Sequence, residues 1–165
     1  MLEHLWTAVS RRRRLCAVLQ LVSHAVVLCA AVALCAVAWL GVWEHLLGTA
    51  MLLGTLGVGF VAVTLWRHLV PSLRPYECYP EAFSVLPREK CGHAFPSRHA
   101  FCAFAIGAAA CAVSLPIGIP MLTLAVAQAV ARVLLGIHFP RDTAVGAAVG
   151  VLFGAVAALM YIWLG

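Results

Sequence analysis

Carboxylates are scarce in this chain: six acidic residues among 165, with Asp142 the only aspartate. Hard divalent cations collect several oxygen ligands at once, so an obvious site of that kind is excluded. No Cys-x2-Cys pair occurs either; Cys78, Cys91 and His93 share one stretch but lack the paired spacing of a zinc site. Charge of any sign is thin, at 10% of residues, where a soluble domain carries about a quarter. An ordinary soluble fold is thereby excluded. Internal repeats, low-complexity tracts and lipidation motifs are also missing.

What fills the chain instead is apolar. Hydrophobic residues make up 64% of it, and the mean hydropathy is +1.02. The length suits one domain, residues 1–165. Five hydrophobic runs stand out, at residues 15–40, 46–66, 97–115, 117–136 and 143–164. Each approaches the ~20 residues that a spanning helix needs, and the third is the shortest. The first is too long for a secretory signal peptide and leads straight into the second. Backbone groups in lipid must be satisfied within the segment, which selects helices over open strands. The expected fold is all-α, an integral membrane bundle of about five transmembrane helices with one long polar loop.

That loop, residues 67–98, is rich in Pro, Tyr and charge, whereas residues 41–45 and 116–120 form tight turns. A connection of this length is more often functional than idle. Its Tyr76, Tyr79 and Phe83 suit the headgroup layer, where aromatics gather, better than direct substrate contact. A basic segment, residues 1–14, carries Arg11 to Arg14 ahead of the first run. With five crossings, every Lys and Arg falls on one face. By the positive-inside rule that face is cytoplasmic, with Arg88 and Lys90 as support. The four-Arg run can also attract anionic headgroups, although a plain topology anchor is the stronger reading.

Three clusters of polar residues interrupt the apolar runs. The first is Arg67 with Arg74-Pro75 at the exit of the second run. A guanidinium presents a fork of donors matched to phosphate oxygens and stays charged when partly desolvated. Pro71 and Pro75 break helical continuation, so the two Arg can converge. A basic boundary that stops a helix at the membrane surface would look the same. The second cluster is Pro96-Ser97-Arg98-His99, directly before an apolar run. Ser97 is placed to cap a helix, whose first-turn N–H groups attract anions. His99 falls in that turn; an ordinary cap beside an interfacial His is the plainer reading. The third is Arg132, His138 and Asp142. A nucleophilic imidazole needs a free lone pair on one nitrogen, and a carboxylate at the other fixes the tautomer. Asp142 can serve as that carboxylate, as a helix cap, or as both. Ionisable groups at membrane depth suggest a functional site.

In order and spacing, these clusters resemble the signature of the type 2 phosphatidic acid phosphatase superfamily. That signature runs Lys-x6-Arg-Pro, then Pro-Ser-Gly-His, then Ser-Arg-x5-His-x3-Asp. Here the first is Arg67-x6-Arg74-Pro75, the second Pro96-Ser97-Arg98-His99, and the third Ala131-Arg132-x5-His138-x3-Asp142. The resemblance implies metal-independent hydrolysis of a phosphate ester or diphosphate on a membrane lipid. His138 would be the nucleophile, passing through a phosphohistidine, with Asp142 orienting it and His99 protonating the leaving oxygen. Arg67, Arg74 and Arg132 would clamp the phosphoryl group, helped by Ser97 and by backbone N–H groups near Arg98. Three positions depart from the signature: Arg67 replaces Lys, Arg98 replaces Gly and Ala131 replaces Ser. The family typically has three spans before the first cluster, where two are counted here.

The resemblance implies no cofactor and no metal, and the implied partners are the lipid substrate and the bilayer. A pI near 9.0 reflects topology and a phosphate site, not nucleic-acid binding. A non-catalytic binder of anionic headgroups is the alternative, but it has no use for a nucleophile and its orienter. Gly146, Gly150 and Gly154 give the last helix a small-residue face for packing within the bundle. Cys16, Cys29, Cys35, Cys102 and Cys111 fall in or beside apolar runs as small hydrophobes. Neither the lipid tail nor the oligomeric state is legible.

Overall fold

The computed structural model describes residues 2–83 and 92–164. Seven α-helices and one 3-10 turn account for nearly all of them: α1 (Leu2–Ser10), α2 (Arg13–Glu44), α3 (Leu46–Leu69), α4 (Pro75–Cys78), the turn Pro80–Phe83, α5 (Arg98–Val113), α6 (Leu115–Leu134) and α7 (Pro140–Leu164). Four of these, α2, α3, α6 and α7, are long and apolar enough to cross a membrane. At 1.5 Å per residue the 16-residue α5 reaches about 24 Å, short of the ~30 Å hydrocarbon layer. This is the short third run of the sequence, and it occupies the middle of the bundle, packed against α2, α3, α6 and α7.

Lipid-facing surfaces follow from the same chemistry. Leu21, Leu28, Val32, Leu65 and Leu159 all point outward, as expected where the surrounding solvent is hydrocarbon. The protein is a multi-pass integral membrane bundle. Inside, the chain is packed by small residues. Along α7, Gly146, Gly150 and Gly154 meet the backbone carbonyls of Ser97, Phe101 and Ala105 on α5, at 2.5, 2.5 and 2.6 Å from where a Cβ would stand. The two helices approach so closely because α7 presents no side chains along that seam.

Element ends differ in detail from the hydropathy reading. Helix α2 runs on through Glu44, so the turn expected at residues 41–45 shrinks to His45 alone. Ser114 precedes α6, and Pro116 and Pro120 lie inside it, within its first two turns. In the first turn the missing Pro116 N–H costs little, whereas Pro120, inside the helix, forfeits the bond its N–H would make one turn back. Residues 2–10, expected only as part of a basic leader, form helix α1. Tyr76 and Phe83 are buried with Trp6 and Ala82, while Tyr79 is exposed. The headgroup-layer expectation therefore fits Tyr79 better than the other two. Arg88, Lys90 and Cys91 lie outside the described residues.

Candidate active site

The three clusters come together at one end of the bundle, by backbone ties as much as by side chains. After α3 the chain is pinned to the segment entering α5. The Ala94 N–H donates to the Ser72 carbonyl at 3.1 Å, and the Phe95 N–H donates to Ser72 Oγ at 2.7 Å. The Glu77 carboxylate accepts from the N–H groups of Arg74 and Gly92, at 2.7 and 2.9 Å. Arg67 donates from its guanidinium to the Pro96 carbonyl at 2.8 Å. The first cluster is thus fastened to the second. The second is fastened to the third by the Ser97 N–H, which donates to the Asp142 carbonyl at 2.9 Å.

Local structure explains each placement. Ser97 is the N-cap of α5, and its Oγ accepts from the Ala100 N–H at 3.4 Å. This is the capping role expected of it, and it leaves His99 in the first helical turn. Arg98 opens the helix without a positive φ, so the family's glycine is not required by the backbone here. Gly136 does need its freedom: its φ is +66°, and a Cβ would run into the Phe83 ring. It reverses the chain between Arg132, in the last turn of α6, and His138.

Arg67, Arg74 and Arg132 are buried, with 7, 8 and 7% of their surface exposed, and Ser97, His138 and Asp142 lie at 0, 1 and 1%. Charged groups so far from water need partners. Arg67 lies within electrostatic reach of Arg74, Arg98, Arg132 and Asp142; His99 has Arg132 and His138 in the same range. The site is dominated by positive charge, which an anion would neutralise.

The His138 Nδ1 faces Asp142 Oδ2 at 3.8 Å, longer than a hydrogen bond. The same Oδ2 accepts the Phe139 N–H at 3.0 Å, so Asp142 anchors the start of α7 and faces the imidazole with one oxygen. Its other oxygen is 3.6 Å from Arg141 Nε. Burial pushes the His138 imidazole below its usual pKa. The Asp142 carboxylate opposes that shift, and Arg74 and Arg132 reinforce it.

Other polar residues support the site that the clusters did not single out. Arg132 Nε donates to Ser23 Oγ at 3.2 Å, and Gln128 Nε2 donates to the Ser23 carbonyl at 3.1 Å. These bonds join α6 to α2. Lone Ser and Gln residues inside apolar runs were the available signal, since polar groups at that depth need a reason. Beside His99 and Arg98 opens an apolar cavity of about 420 Å³ that includes Ala30, Phe60 and Cys102. It adjoins a second of about 350 Å³ reaching Leu53 and Leu56, and the two share Leu34, Phe60, Cys102 and Ile106. Among the described residues, no group of three or more His, Cys, Asp or Glu side chains could hold a metal ion.

A family model described as the PAP2 superfamily matches residues 44–165. The crystal structure of a transmembrane PAP2-type phosphatidylglycerolphosphate phosphatase from Bacillus subtilis superposes with a TM-score of 0.72. It is 17% identical, over 99% of this chain and 86% of that one. Aquifex aeolicus LpxE gives a TM-score of 0.52 at 23% identity, over 86% of this chain and 92% of its own. No curated protein sequence matches. Identities this low speak for the shared fold, whereas the family match covers most of the sequence, including all three clusters. The chain belongs to the PAP2 superfamily and is a membrane enzyme of the lipid phosphate phosphatase type.

Proposed function

We propose that His138 is the nucleophile of this hydrolase, that Asp142 orients it and that His99 is the general acid. What carries the reading is the buried His138–Asp142 pair. With Nδ1 turned to the carboxylate, Nε2 keeps the lone pair for attack. Asp142 favours the Nδ1–H tautomer and offsets the positive charge that grows on the ring. The 3.8 Å gap tightens to a hydrogen bond as the phosphoryl group binds, as catalytic contacts commonly do.

In the first step Nε2 bonds to phosphorus, the phosphorus–oxygen bond to the lipid breaks, and His99 gives its proton to the departing oxygen. In the second step water attacks the phosphohistidine, its proton returns to His99, and phosphate leaves with His138 restored. Arg67, Arg74 and Arg132 hold the non-bridging oxygens, assisted by Ser97 and the first N–H groups of α5 near Arg98. Fixed donors of this kind stabilise charge as it shifts during bond breaking.

The substrate is an anionic lipid whose phosphate enters among the Arg residues. Its tail lies in the apolar groove that leads from His99 along α5, between α2 and α3. The active-site face is cytoplasmic, on the argument from Arg11 to Arg14. A phosphate monoester such as phosphatidic acid or phosphatidylglycerol phosphate suits that face.

The test is phosphate release by purified protein in detergent with chelator present. Phosphatidic acid, phosphatidylglycerol phosphate and undecaprenyl diphosphate are compared, with His138→Ala beside the unchanged chain. Release that persists in chelator and disappears in His138→Ala is expected. Turnover by His138→Ala equal to that of the unchanged chain would remove the proposed nucleophile.

A further inference from the structure

Helix α1 belongs to none of the three clusters, yet it lies on the turn that carries the nucleophile. Trp6 at its centre is 1% exposed. The indole N–H donates to the Val133 carbonyl at 2.8 Å, one residue after Arg132. Its ring packs edge-on against Phe139, 5.9 Å between centroids, one residue after His138. The same ring meets Phe83 at 5.6 Å, and Phe83 occupies the space that a side chain at Gly136 would need. One indole therefore touches both ends of the Arg132–His138 turn and backs its midpoint.

Further ties fasten α1 in place. Ser10 Oγ donates to the Ala82 carbonyl at 2.5 Å, fixing the 3-10 turn that presents Phe83. Val9 packs with Cys16 and Leu135. Backbone bonds hold the first half of the turn well, with the Leu135 and Gly136 N–H groups donating to the Ala131 and Val133 carbonyls at 2.9 and 3.0 Å. They weaken toward the imidazole: the Ile137 and His138 N–H groups reach back to the Arg132 carbonyl at 3.1 and 3.4 Å, and the second is long. A nucleophile must be held to within about half an ångström of its working position by the groups around it.

We propose that Trp6 is a positioning residue for His138 and Arg132, acting through the Val133 carbonyl and the Phe139 ring, so that α1 is a strap completing the active site. The catalytic consequence rests on the assignment of His138 as nucleophile. The mechanical tether does not.

Two measurements on the full chain separate these levels. Hydrogen–deuterium exchange of the segment spanning residues 133–139 reads the tether without any turnover. Trp6→Ala speeds exchange there about tenfold or more while the α5–α7 seam stays as protected as before. Steady-state kinetics on a lipid phosphate then read the consequence. Trp6→Ala lowers kcat at least tenfold, with KM within about threefold. Trp6→Phe keeps the ring, loses the N–H, and recovers to within about fivefold of the unchanged kcat, the scale of one neutral hydrogen bond. Leu5→Ala, on the exposed face of α1, changes neither readout.

Unchanged exchange in a folded Trp6→Ala overturns the tether, and so does equal damage from Leu5→Ala. Faster exchange with unchanged kcat overturns the positioning role. If Trp6→Ala fails to fold, Trp6→Phe decides alone: unchanged exchange and unchanged kcat overturn the hydrogen-bonded strap. An inactive unchanged chain would instead count against the proposed function, while the exchange result still decides the tether.

Discussion

Ser97 and Asp142 are joined through their backbones, the N–H of one donating to the carbonyl of the other at 2.9 Å. Ser97 caps α5 and Asp142 lies in the first turn of α7. This bond ties the start of α5, which carries His99, to the start of α7 beside His138, the proposed general acid and nucleophile. The glycine seam beneath it makes the approach possible.

Gly146 is where that seam meets the site. A Cβ there would stand 2.5 Å from the Ser97 carbonyl oxygen, a backbone atom with no side-chain freedom to move aside. Gly146→Ala is expected to cost about 1–3 kcal/mol, as overpacking does, and to lower kcat by parting the two clusters. Gly54, on α3 with open space around it, is the control; Gly54→Ala should be neutral or gain up to about 1 kcal/mol from helix propensity. Thermal unfolding in detergent compares the two, and equal midpoints would contradict the seam argument.

The acid limb of activity should report His138. Its imidazole must be neutral to attack, and burial with Arg74 and Arg132 lowers its pKa against the opposing pull of Asp142. Activity is therefore held to a lower pH than an ordinary imidazole at about 6.5 would allow, then falls as the ring protonates. Asp142→Asn removes the opposing charge, so the limb moves to still lower pH. The plateau rate drops on the order of 10²–10⁴ because the tautomer is no longer fixed. A profile of kcat/KM against pH checks both, and a limb displaced upward would contradict the assignment.

The groove along α5 predicts discrimination by tail. Cys102 lies one helical turn beyond His99 and lines both parts of the groove. Cys102→Trp fills that space, so KM for a long-chain lipid phosphate should rise about tenfold or more, the scale of losing a few buried methylenes. A short-chain, water-soluble phosphate ester should be hydrolysed nearly as before. Equal losses on both substrates would place the tail elsewhere.

Much of this protein was legible before it was folded. Apolar runs of spanning length dictate helices, because lipid offers the backbone no other partner. The Arg67, Arg74, Ser97, His99, Arg132, His138 and Asp142 pattern was readable because these residues fall in three short motifs whose spacing is local along the chain. Glycines at every fourth position of α7 announced a close helix contact, though not which helix would fill it.

Folding decided the rest. Trp6 is an ordinary residue in sequence, and Ser23 and Gln128 show there only as lone polar groups in apolar runs; all three matter through contacts 127, 109 and 105 positions away. Local pattern cannot encode such pairings; they arise when packing brings distant helices together. Sequence alone thus determined the membrane class, the helices and the chemical kit, since each depends on neighbours along the chain. Only the tertiary structure joined Ser97 to Asp142, opened the apolar groove beside His99 and laid α1 across the Arg132–His138 turn, because these depend on which faces meet.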